Sequence, residues 1–67
     1  MEDWISIYST NSTFEAELMR GKLENAGVEA VLMNKQDSSY LFGEIEVYVH
    51  QYQSQQALNI INSHENE

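Results

Sequence analysis

Ile45-Glu46-Val47-Tyr48-Val49-His50 is the stretch that decides the fold. Its polarity alternates, with Ile45, Val47 and Val49 on one side and Glu46, Tyr48 and His50 on the other. A period of two is that of a strand with one face on a core and the other turned outward. Toward the N-terminus, residues 34–44 read Asn-Lys-Gln-Asp-Ser-Ser-Tyr-Leu-Phe-Gly-Glu, a long polar connection. Before it, residues 28–33 are apolar apart from Glu29 and read as another strand.

Further back lies a helix, expected over 13–26. Ser12-Thr13-Phe14-Glu15 fits a capping box, in which the Ser12 hydroxyl accepts from the Glu15 N–H and the Glu15 carboxylate reaches back to Ser12. Ala16, Met19, Leu23 and Ala26 form one stripe, which Phe14 and Leu18 widen. Gly27 suits the left-handed residue that ends the helix, and Gly21 suits a close approach of the helix to the sheet. The chain begins with Trp4-Ile5-Ser6-Ile7-Tyr8, an aromatic and β-branched strand expected over 3–9. On the C-terminal side, Ala57, Leu58, Ile60 and Ile61 recur at helical spacing and predict a helix over 52–63.

The order β-α-β-β-α predicts an α+β, two-layer, ferredoxin-like sandwich without the final strand. A right-handed crossover with the 45–50 strand inserted gives an antiparallel sheet ordered 1-3-2, with both helices on one face. Ile5, Ile7, Ala30, Leu32, Ile45, Val47 and Val49 then face the helices. Trp4, Tyr8, Val31, Met33 and Tyr48 face away, among Ser6, Glu29 and Glu46.

Sixty-seven residues, 42% of them apolar, allow a single domain with a thin core. With no cysteine, disulfides, thiolate-held zinc and thiol nucleophiles are excluded. A net charge of −8 opposes the phosphate backbone, so no nucleic-acid partner is expected. The acidic start Met1-Glu2-Asp3 is not the basic beginning of a secretory signal, and no apolar run suits a membrane span. A cytoplasmic protein without cofactor or membrane partner is expected.

Two features are candidates for function. The first is the outward face of Trp4, Tyr8, Val31, Met33 and Tyr48. Such a patch marks an interaction site, against the plainer alternative of a half-exposed sheet with scattered aromatics. Self-association as a homodimer is its most economical form, because so small a core gains from a partner. The second is the 34–44 connection, whose Lys35, Asp37, Ser38 and Tyr40 offer a cation, a carboxylate and hydroxyls. Long hairpin connections are often functional, against the alternative of an ordinary loop whose Leu41 and Phe42 reach the core. His50 and His64 show no metal-ligand spacing, no acid–base pair can be assembled, and the glycines form no phosphate loop.

The pattern resembles the bacterial DUF2007 family, described as putative prokaryotic signal transducing proteins. The likeness rests on Trp4 with Tyr8-Ser9-Thr10, Ala16 with Leu23-Glu24-Asn25-Ala26-Gly27-Val28, and Asn34-Lys35 with Asp37-Ser38. It continues in Gly43, Val47-Tyr48-Val49, and Ala57 with Ile60-Ile61. The resemblance implies a ferredoxin-like fold related to that of the PII regulators and no established activity. In PII-like proteins the loop between strands 2 and 3 contacts partners, which adds interest to Lys35, Asp37, Ser38 and Tyr40. Some relatives append a cysteine-rich zinc ribbon, for which this chain has no cysteine. The reading is a non-enzymatic regulatory binding module, with a sensor of a small anionic ligand as the alternative.

Overall fold

The computed structural model describes residues 3–34 and 45–65. The chain runs through β1 (Trp4–Thr10), α1 (Thr13–Asn25), β2 (Ala30–Asn34) and β3 (Ile45–His50). A 3-10 turn over Gln51–Gln53 then leads into α2 (Ser54–Glu65). Both neighbours of β3 are antiparallel to it, and the sheet order is β1-β3-β2. The expected α+β arrangement, sheet order and helix placement all hold.

The core lies between this sheet and the two helices. Met19 and Leu23 of α1, Ala57 and Ile61 of α2, and Val28, Ala30, Val47 and Val49 form one buried cluster. Residues from both helices meet the same side of β3, so both helices cover one face. The alternation of β3 appears directly in its burial, with Ile45, Val47 and Val49 buried and Glu46, Tyr48 and His50 half-buried.

The start of α1 differs from the full capping box. Ser12 Oγ accepts from the Glu15 N–H at 3.1 Å, as expected. The Ser12 N–H donates instead to Thr10 Oγ1, also at 3.1 Å. The Glu15 carboxylate lies 3.8 Å from His64 Nε2 on α2. The end of α1 follows the expected pattern. Gly27 has φ +87°, Gly27 N–H donates to Glu24 C=O, and Val28 N–H donates to Leu23 C=O. These are the two bonds of a Schellman motif, and Val28 and Leu23 share the core beneath it.

Three further expectations about α1 are corrected. Phe14, at 73% exposed, and Leu18 do not widen the buried stripe. Relative to Ala16, Met19 and Leu23 they fall on the opposite side of the helix, and a three-stranded sheet shared with α2 buries only one stripe. Gly21 lies on that exposed side, and a Cβ there would meet nothing within 4 Å. It serves no close approach to the sheet. Ala26 is exposed as the C-cap residue rather than a stripe member.

Candidate functional site

The side of the sheet away from the helices is built as rows across the three strands. Residues opposed in an antiparallel pair share a face. Tyr48 is opposed by Ser6 and Val31, and Glu46 by Ser9 and Met33. His50 is opposed by Trp4. Continuing the β2 register by one residue sets Glu29 on its other side, and His50 Nε2 lies 3.2 Å from Glu29 Oε1. The outer face therefore carries three rows: Trp4–His50–Glu29, Ser6–Tyr48–Val31 and Ser9–Glu46–Met33. Among the described residues, no helix packs over it.

Of the residues expected on this face, Trp4, Val31, Met33 and Tyr48 are there. Tyr8 is not. The β1–β3 register shifts between Ser6 and Tyr8, because Ile7 is one residue too many for its partner strand. At such a bulge two neighbouring residues oppose one partner and turn to the same side. Ile7 and Tyr8 both pack against the core, and Tyr8 pairs with buried Val47. A strict period of two along residues 4–8 cannot show this inserted residue. The second expected site, Lys35, Asp37, Ser38 and Tyr40, lies outside the described residues.

One end of the face carries more chemistry than its sequence signals suggest. The Trp4 and His50 rings stack with centroids 3.8 Å apart and planes inclined by 36°. Tyr52 continues the row at 5.4 Å from His50, inclined by 30°. Tyr52 is 82% exposed. The backbone fixes this corner from several directions. Gln51 N–H donates to Asp3 C=O at 2.7 Å, which extends the β1–β3 ladder past its end. Gln53 Oε1 accepts from the Glu29 N–H at 3.3 Å, and its Nε2 donates to Gly27 C=O at 3.1 Å. Gln56 Nε2 donates to Ala26 C=O at 3.1 Å. The glutamines thus tie the turn before α2 to the entrance of β2, and both Glu29 and Tyr52 neighbour His50. His50 and Glu29 were legible as face residues from the alternation, but their meeting depends on register. The Gln-rich run 51–56 was the available signal for the tie.

The described residues enclose no pocket. Among them no group of three or more His, Asp and Glu is placed to hold a metal ion. No described helix is long and apolar enough to cross a membrane. What the geometry offers is a surface with apolar, aromatic and acidic side chains at fixed register. Such a surface can bury area against another surface and discriminate by charge.

Fold and surface together define a small α+β domain, two helices over a three-stranded sheet whose other face is turned outward. The chain belongs to the DUF2007 family, the putative prokaryotic signal transducing proteins, whose family model matches residues 4–65. That span takes in the strands and helices of the described residues. No curated protein and no solved structure matches the chain.

Proposed function

We propose that this domain is a non-enzymatic adaptor in signal transduction that docks another protein on its outer sheet face. The observation that carries the reading is the register, which sets Trp4, Tyr48, Val31 and Met33 side by side in adjoining rows. The family description as a signal-transducing protein supports it and points away from an enzyme. The 34–44 segment, with Lys35, Asp37, Ser38 and Tyr40, is the second contact surface in this reading.

Charge favours a different protein over a second copy as the occupant. A symmetric pairing would bring Glu29 and Glu46 of two faces together on chains that each carry −8. Like charges placed opposite each other count against such an interface. The test is capture of a partner from a prokaryotic lysate by the wild type and by Tyr48→Glu, Met33→Glu and Phe14→Glu. The wild type and Phe14→Glu retain the same partner, and the two face variants lose it while circular dichroism shows them folded. Equal capture by all four proteins would refute the assignment of this face.

A further inference from the structure

Resting on that docking reading, we infer that the Trp4–His50–Tyr52 row beside Glu29 is a seat for a cationic side chain, an arginine of the docked protein. Three observations converge on it. The first is the row itself, with its rings 3.8 and 5.4 Å apart and Tyr52 82% exposed. Indole and phenol faces carry negative quadrupoles and attract a cation set over them. The second is Glu29, whose side chain is 67% exposed and lies 3.2 Å from the imidazole in the middle of the row. Tyr52 and Glu29 border the same imidazole, so an exposed aromatic ring and a carboxylate belong to one corner of the face.

The third is the distribution of charge. The described part of this face has Glu29 and Glu46 and neither Lys nor Arg. Arg20 and Lys22 belong to α1, in the layer behind the sheet, and Arg20 lies 3.6 Å from Glu17. The potential over the row is therefore negative, and it draws a cation in before contact. Arginine fits better than lysine because its flat guanidinium can stack on a ring while two of its N–H groups meet a carboxylate. The glutamine ties hold the corner in place before anything binds, which lowers the entropy cost of capture.

Trp4 is the only tryptophan, so its emission reports on the seat. The probes are two capped peptides, Gly-Arg-Gly and its citrulline counterpart, which keeps the planar shape and loses the charge. They are titrated at low salt, where the attraction is least screened. The arginine peptide produces a saturable change in Trp4 emission and moves the amide signals of Trp4, Glu29, His50 and Tyr52. The citrulline peptide binds at least about five-fold more weakly, and Tyr52→Ala and Glu29→Gln each weaken arginine binding by about the same factor. Glu17→Gln, on α1, leaves it unchanged.

Equal affinity for the citrulline peptide would overturn the seat, as would an equal loss in Glu17→Gln or no saturation below roughly 10 mM. If the peptides fail while capture through Tyr48 and Met33 survives, the seat falls and the docking face stands. If capture fails while the arginine peptide binds as described, the reverse holds.

Discussion

Gly21 and Gly27 are one residue type in opposite situations. Gly27 sits at φ +87°, where a Cβ collides with the following carbonyl whatever space surrounds it. Gly21 sits inside α1 with open space where a Cβ would go. Gly21→Ala therefore stabilises the domain by about 0.5–1 kcal/mol, and Gly27→Ala destabilises it by roughly 1–2 kcal/mol. Paired thermal melts check both, and a shift of the same sign in the two variants would contradict this account. The role of Gly27 was legible because it follows the last turn of an apolar stripe. Gly21 departs from the expected close approach because spacing alone does not show how wide a stripe the sheet can cover. The Trp4–His50 stack gives a second residue-scale prediction. With the two ring centroids 3.8 Å apart, His50→Gln changes Trp4 emission at constant pH, and emission identical to that of the wild type would refute the contact.

At the scale of elements, β3 was the most legible and β1 the least. In β3 every second residue is buried, so the sequence alternation and the structural face coincide from Ile45 to His50. In β1 the apolar residues Ile5, Ile7 and Tyr8 all serve the core, which an uninterrupted strand cannot arrange. The bulge at Ile7 solves this by giving two residues to one partner, and it also twists an edge strand, which discourages unwanted pairing. The two tyrosines Tyr8 and Tyr48 then test the bulge. Tyr8→Glu brings a charge to the packed side of the sheet and costs about 1–3 kcal/mol. Tyr48→Glu, on the outer face, shifts stability by well under that amount. Urea unfolding of both variants reads the difference. If Tyr8→Glu proves no more damaging than Tyr48→Glu, Tyr8 lies on the outer face and β1 runs without the bulge. The turn between β3 and α2 was the other illegible element. Its 3-10 residues carry no periodic apolar signal, and Gln53 acts through bonds to Gly27 and Glu29, distant in sequence.

For the whole molecule, charge separates the two ways of covering the outer face. The chain carries −8 over sixty-seven residues, so copies repel one another and a cationic partner is attracted. Salt screens both effects over about 10 Å at 0.1 M, but with opposite consequences. Binding of the arginine-bearing partner weakens as salt is added, whereas pairing of identical acidic chains strengthens. Composition made the sign of this field legible, while the register showed that the outer face shares it through Glu29 and Glu46. Light scattering after size exclusion, repeated from low to high salt, reads the self-association side directly. The expected result is a mass of 7.7 kDa at low salt across the accessible concentrations, with any dimer confined to high salt. A dimer stable at low salt would mean that apolar contact through Trp4, Val31, Met33 and Tyr48 outweighs the repulsion of two like-charged chains. The outer face would then be the homodimer interface that a small core invites. The same dimer should dissolve in Met33→Glu, because that substitution adds one more negative charge on each side of a symmetric interface. A monomer at every salt leaves the face to another protein, whose affinity must fall with salt if arginine is what it presents.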